Sequence, residues 1–405
     1  MPKGGYVPVF RELYLTPVDK PEHVATVRVR SNARFKSFAI ALACVAAVAS
    51  AALIWRVRDR TAPIPIAVLP LENTGHDANG GYFADGLTSE TIRNLSIIDG
   101  MVVRSQTSSF AFRGQPRNIH EAGRQLSADY ILEGSVFREG QKLRIDVQFV
   151  RVRDDVLMWS GRFDREFKEV LAIQDEISRG IVNSLRLSLG RGRRRYEIST
   201  DAYDLYLRGV SVQLRRGIDG YDQSIEPLEA AVAKDPSFAP AYSALAVAYT
   251  FRSSQFRFDI EEQVKRLRAA ADEAIRLDPL LPEAHAALAM RYAREAEWQR
   301  AEQSFHRAMQ LNPGEAQPQR HLAFFVLLPL GRVSEAIEEF CRAEKLDPLG
   351  SQTQYEMAVA LMDAGRNAEA EGHCQKLSPE WTLRNECLLW AGLRQGRVGS
   401  GHRGR

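Results

Sequence analysis

Four phrases of one shape recur in the C-terminal half: AAVAKDP, EAIRLDP, RAMQLNP and RAEKLDP, closing at Pro236, Pro279, Pro313 and Pro348. Each reads as the last turns of a helix stopped by a proline, which cannot continue it. From Pro279 to Pro313 the spacing is 34 residues. A fixed period of this size predicts stacked helical units, each burying its apolar face against the next, rather than one wrapped core. In the third unit Leu288, Ala289 and Tyr292 sit on a first helix, and Ala301, Phe305 and Ala308 on a second, before Pro313. The small residues let two antiparallel helices approach, and the large ones fill the gap between them.

This pattern resembles the tetratricopeptide (TPR) repeat, over residues 201–393 in about five units. The second unit carries Tyr242, Leu245, Ala246 and Tyr249, then an insertion near Ser253 to Ile260. The fourth carries Leu322, Ala323, Ala336, Phe340 and Ala343. The first (about 203–236) keeps Leu228 and Ala231 with a stretched first helix. The fifth has Met357, Ala358 and Ala370, with Cys374 where an aromatic usually packs, and Leu383 to Leu393 reads as a capping helix. The resemblance implies a concave face, lined by the first helices, that holds a protein or peptide. Carried onto this sequence, the groove positions are Ser243, Val247 and Phe251; Glu283, Ala286, Met290 and Arg294; and Gln317, Arg320, Phe324 and Leu328. Arg294 and Arg320 could form a basic clamp for a carboxylate. Solvated or core positions are the competing reading for each of these residues.

Residues 65–190 carry a different pattern. IAVLPL reads as a buried strand, Asp85 as the cap of a helix running to Ile98, and MVVR (101–104) as a second strand. Asn118 caps a further helix. Tyr130–Arg138, Lys142–Val152 and Val156–Phe167 alternate apolar and polar residues, joined by turns at Glu139-Gly140-Gln141 and Arg153-Asp154-Asp155. Val170, Ile173, Ile177, Ile181 and Leu185 share one face of a last helix. The order predicted is β-α-β-α-β-β-β-α, an α/β domain with a mixed sheet, followed by the all-α solenoid. The phrases IAVLPLEN, GGYFADGLTSETIRNLS, RSQTSSFAFRG and DYILEGSVFREGQKLRIDVQFV resemble the TolB-like N-terminal domain of bacterial signalling proteins. That family has no agreed catalytic residues. Its members often follow a single membrane anchor, and their upstream partner is typically a class III cyclase or a winged-helix domain.

Ser37 to Trp55 runs nineteen residues without a charge, enough at ~1.5 Å per residue to cross most of a bilayer's ~30 Å core. Thirty-six residues precede it, more than a signal peptide carries, so the expectation is an uncleaved transmembrane helix. The basic excess before it places the N-terminus in the cytoplasm and the C-terminal domains in the periplasm, on a bacterial inner membrane. Residues 1–36 read as a disordered tail, 56–64 as a linker, 191–200 as a basic hinge and 394–405 as a disordered tail.

Several chemistries find no support. GYFADGLT (81–88) has phosphate-loop spacing, but Leu87 stands where the lysine is needed. Arg191, Arg193, Arg194 and Arg195 read as a solvated hinge, since only Tyr196 interleaves them. The histidines share no metal-ligand spacing, so neither metal nor cofactor is expected, and no catalytic motif has context. Cys374 and Cys387 fall on neighbouring helices; a buried thiol pair is the expectation, and a disulfide the alternative in an oxidising compartment. The formal net charge of +3 hides a +6 in residues 1–61 and a +4 in 391–405 against −8 in 201–390. An acidic repeat region argues for a protein or peptide ligand and against nucleic acid. The sequence therefore predicts a non-enzymatic, membrane-anchored sensory or scaffolding protein. The alternative is the regulatory part of a cyclase or winged-helix system with a separately encoded output.

Overall fold

Strand β1 (Ile64–Val68) lies inside the sheet, paired on both sides, with Ile66, Ala67 and Val68 fully buried. The structure, a computed structural model, describes residues 63–75, 81–98, 100–115, 118–185, 198–253, 259–377 and 383–394. The chain continues through β2 (Glu72–Asn73), α1 (Gly81–Ser96), β3 (Met101–Val103), α2 (Gln106–Phe110) and α3 (Ile119–Leu126). The meander β4 (Tyr130–Glu139), β5 (Lys142–Arg151) and β6 (Val156–Glu166) follows, then α4 (Val170–Ser184). The strand order is β3-β1-β4-β5-β6, with β2 also pairing β4. β1 runs parallel to β3 and β4, and β4, β5 and β6 are antiparallel.

The meander follows the alternation. Leu143, Ile145, Val147 and Phe149 face the core, and Val170, Ile173, Ile177 and Ile181 of α4 pack against that side. Gly140 has φ 59°, the left-handed conformation that a tight hairpin turn needs and glycine takes without a Cβ clash.

Four expectations are corrected here. The simple order β-α-β-α-β-β-β-α lacks β2 and α2. α2 forms because the Ser105 hydroxyl accepts from the Ser108 amide at 3.3 Å. Asp85 does not cap α1, which starts four residues earlier at Gly81. Its buried carboxylate meets the Arg113 guanidinium at 2.8 Å and accepts from the Ser211 hydroxyl at 3.3 Å. The fold as a whole is mostly helical with a small mixed sheet.

The third correction concerns the membrane. Among the described residues no helix is long and apolar enough to cross a bilayer. The longest, α5 (Thr200–Lys234), carries charges along its length. Segment 37–55 lies outside the described residues, as do the hinge arginines and 395–405. The expected anchor thus falls outside the described residues, and the described helices supply no span, against the expected single-pass inner-membrane placement with periplasmic domains.

The repeat half consists of antiparallel helix pairs of tetratricopeptide type. They are α6 (Ala239–Arg252) with α7 (Ile260–Leu277), and α8 (Pro282–Arg294) with α9 (Trp298–Leu311). Next come α10 (Gln317–Leu322) with α11 (Val333–Leu346), and α12 (Ser351–Asp363) with α13 (Asn367–Lys376), before the final α14 (Arg384–Arg394). The alanines read from the repeat are fully buried: Ala246, Ala289, Ala301, Ala308, Ala323, Ala336, Ala343, Ala358 and Ala370. The first unit is not a pair but the single 35-residue α5, which holds Pro227 inside it. After Leu322 the helix widens into a π turn, Ala323–Leu327. Cys374 and Cys387 are bonded, with Cα atoms 5.6 Å apart, so the thiol-pair expectation gives way to the disulfide. The geometry lies within the window a disulfide tolerates.

The described residues fall in one compact unit. α1 lies so close to α5 that a Cβ on Gly86 would fall 2.7 Å from the Leu207 Cβ. Two of the proline-preceding residues that end repeats reach across to the sheet half. Asn312 Nδ2 donates to Ser96 Oγ at 2.9 Å. Asp347 accepts from Thr107 Oγ1 at 2.8 Å and from Ser108 Oγ at 2.5 Å.

Candidate partner-binding face

The first helices α6, α8 and α10, with the π turn that continues α10, bring the expected groove residues into three settings. One group gathers around Phe325. Phe251 stacks on Tyr221 of α5 with ring centroids 4.1 Å apart and meets Phe325 edge-on at 6.1 Å. Phe324 meets Phe325 edge-on at 5.2 Å. The Arg294 guanidinium lies 5.9 Å from the Phe325 ring and donates to the Thr250 carbonyl at 3.0 Å. Val247 and Leu328, half-buried like Phe251, Phe324 and Phe325, pack with them against the buried core of the repeats.

A second group is sequestered. Met290 is fully buried, and Ser243 donates to the Ala239 carbonyl at 3.3 Å. Arg320 is buried in an ion pair with Glu356, 2.8 Å between Nη1 and Oε1, and Gln352 donates to the same oxygen at 2.7 Å. Arg320 Nη2 lies 2.7 Å from His321 Nε2. Since a guanidinium only donates, that histidine nitrogen accepts and the ring is neutral. Burial, then the neighbouring Arg320, hold its pKa well below the usual value.

A third group sits at the starts of α8 and α10. Glu283 faces Arg93 of α1, yet burial raises its pKa despite that charge. The Gln317 amide donates to Glu315 Oε1 at 3.4 Å. Ala286 is half-buried. Burial first, then the charges of Glu283 and Asp347, push the Glu315 carboxyl up to about 7.

Sequence reasoning passed over Tyr221, Phe325 and Glu356, and weighed His321 only as a metal ligand. Phe324-Phe325, two adjacent aromatics in the fourth unit, was a usable signal in the sequence. The partner of Arg320 lies 36 residues away, roughly one repeat period, so Glu356 could be found by offsetting from Arg320.

A second concavity, about 620 Å³, opens at the carboxyl end of β1 between Leu69, Pro70, Asp85, Phe112, Arg113 and Asn118. The connection from β1 goes out to β3 on one side, and that from β3 returns to β4 on the other. Such switch points are where open α/β sheets place ligands. Among the described residues no group of His, Cys, Asp or Glu is arranged to hold a metal ion.

Residues 62–179 match the family described as HilA/YgeH-like transcriptional regulator, second domain. The chain is 34% identical over 231 residues to "Putative adenylate cyclase 3" of Rhizobium meliloti (strain 1021). That match takes in 56% of this chain, and the chain spans 39% of that protein's length. Among solved structures, a thermophilic TPR protein of Thermus thermophilus is similar at 22% identity with a TM-score of 0.34. The alignment covers 48% of this chain and 91% of that one. PilF of Pseudomonas aeruginosa is similar at 19% identity with a TM-score of 0.35, covering 49% and 91%.

Proposed function

We propose that the chain is a non-enzymatic protein-binding module of a sensory or scaffolding system, taking a partner protein or peptide along the face of its first helices. The observation that carries this is the half-buried group of Phe251, Arg294 and Phe324 around Phe325, with Val247 and Leu328 packed on the same repeat core. It offers aromatic and aliphatic anchors beside a guanidinium, the residue types on which recognition energy concentrates. Ala286 and Gln317 extend this face. Arg320, held by Glu356, positions α10 against α12 rather than serving as a clamp. In this reading 65–190, with its TolB-like phrases, and 201–393 are the two working parts. Residues 1–36, 56–64, 191–200 and 394–405 are tails and connectors.

Phe324→Asp and Arg294→Glu test the proposal. A partner captured by crosslinking the full chain in its own cell should bind both variants at least roughly tenfold more weakly. Unchanged binding by both variants, with folding intact by circular dichroism, would refute it.

The names of the two sequence matches suit a second reading: the regulatory part of a class III cyclase or winged-helix system. Under it the captured partner is the output domain, and the same face serves. Turnover of nucleoside triphosphate by the purified chain would remove the non-enzymatic reading.

A further inference from the structure

The repeat register sets a cation into a row of apolar side chains. The shift of 43 residues that carries Ala246 of α6 onto Ala289 of α8 also carries Phe251 onto Arg294. The next shift, 34 residues from Ala289 to Ala323, carries Arg294 onto Leu328. Equivalent positions on stacked first helices face the same way, so Arg294 stands in register between Phe251 and Leu328. A further 35 residues, from Ala323 to Ala358, carries Leu328 onto Asp363 of α12, which pairs with Arg394 at 3.5 Å. The neighbouring row reads Val247, Met290, Phe324 and Val359, apolar throughout. The two arginines of this face are not alike. Arg320 is neutralised by Glu356. Arg294 is half-buried and donates to the Thr250 carbonyl, which carries no charge. Burial lowers its pKa from the ordinary value, so its charge is held at a cost.

We propose that the partner segment taken by this face carries a single carboxylate among apolar side chains, the carboxylate meeting Arg294 and its apolar neighbours lying on Phe251 and Phe324. The inference rests on the reading of the first-helix face as the partner site. Charge selects the occupant. A wholly apolar segment would strip the remaining water from the guanidinium and leave its charge unmatched. A carboxylate in the same place makes a charge-assisted hydrogen bond away from water, where such bonds are strongest. A basic segment is repelled. The net −8 of residues 201–390 disfavours a run of acids, whose further charges would meet like charge. One aspartate or glutamate between apolar residues satisfies all of these. The same terms give discrimination, because segments without the acid pay to cover Arg294 and gain nothing from it.

Selection from a phage-displayed library of random peptides on the full chain, followed by calorimetry with the synthetic peptides, tests this. Peptides that bind the wild type and not Phe324→Asp should carry an aspartate or glutamate flanked by apolar residues. Changing that acid to its amide should weaken binding to the wild type at least roughly tenfold. The same change should have little effect on binding to Arg294→Gln, checked for folding by circular dichroism. Peptides that depend on Phe324 but lack an acid would overturn the proposal and leave the partner face standing. So would an acid-to-amide change that leaves wild-type binding unaltered, a result that needs no protein variant, or one felt equally by Arg294→Gln. If no selected peptide depends on Phe324, the first-helix face is not the partner site, and the proposal falls together with the reading it rests on.

Discussion

Glu315 shows how a single side chain couples folding to pH. It follows the turn at Pro313, where Gly314 lies 3.8 Å from both the Ser96 carbonyl oxygen and the Val103 nitrogen at the position of its would-be Cβ. The carboxyl is removed from water with Glu283 and Asp347 as neighbours, and it titrates at about 7 against an ordinary 4.5. Between those two pH values the folded chain keeps a proton that the unfolded chain has released. Stability from this group is therefore fully present below about pH 4.5 and is lost as pH rises through about 7, by up to roughly 3 kcal/mol. Glu283, raised by burial, acts in the same direction. We expect the urea midpoint of the wild type to fall between pH 5 and pH 8, and Glu315→Gln to flatten most of that slope. An equally steep variant would show that the pH dependence arises elsewhere. None of this could be read from PGEAQP, which looks like an exposed turn. The neighbouring Gly314 meets α1 and β3, more than 200 residues away in sequence.

At the scale of elements, the disulfide acts on the last two helices alone. Cys374 of α13 and Cys387 of α14 are separated by 13 residues. Closing a loop of that length restricts the unfolded chain by about 3 kcal/mol in the chain-entropy account. In a stack where each helix touches only its neighbours, that effect stays local. Cys387→Ala, or reduction, should strip hydrogen-exchange protection from α14 and the end of α13 while leaving α8 to α11 as they were. Protection of α14 that survives reduction would show that packing of Ala391 suffices without the bond. The repeat phrases made these helices legible because the period fixes which positions must be alanine. Sulfur pairing was not legible, since it depends on the distance and direction between two backbones that spacing does not supply. The start of α1 failed for a related reason. Asp85 has the chemistry of a cap, but Arg113 and Ser211 bind its carboxylate inside the helix. The placement of Phe251 and Arg294 on first helices was readable from the period. Whether each faces water was not, because Tyr221 arrives from the unexpectedly continuous α5.

Across the whole molecule the sheet half and the repeats depend on each other, although a solenoid by itself has no need of a second body. Tyr206 of α5 donates to Glu90 of α1 at 2.8 Å, and Gln174 of α4 donates to Tyr203 at 2.7 Å. Arg104 donates to the Lys345 carbonyl at 2.9 Å at the far end of the same contact. These bonds cross the boundary at both an early and a late repeat, so the array is held at two places along its length. An isolated repeat array opens piecewise, since its contacts are all between neighbours. Held at two places, it should open together with the sheet. Gly86→Ala tests this coupling. The added Cβ would lie 2.7 Å from the Leu207 Cβ and 3.0 Å from its carbonyl oxygen. Since one of those atoms is backbone, α1 and α5 must separate, at about 1–3 kcal/mol. In the wild type, the slowest amides of β4 and β5 and those of α6 and α8 should exchange through one common opening, with the same free energy and denaturant dependence. In Gly86→Ala the two sets should part, the repeat helices opening at lower denaturant than the sheet. Sets that are already separate in the wild type would show that the two halves fold independently. Sets that stay joined in the variant would place the coupling at the Asp347 and Asn312 contacts rather than at the α1–α5 crossing.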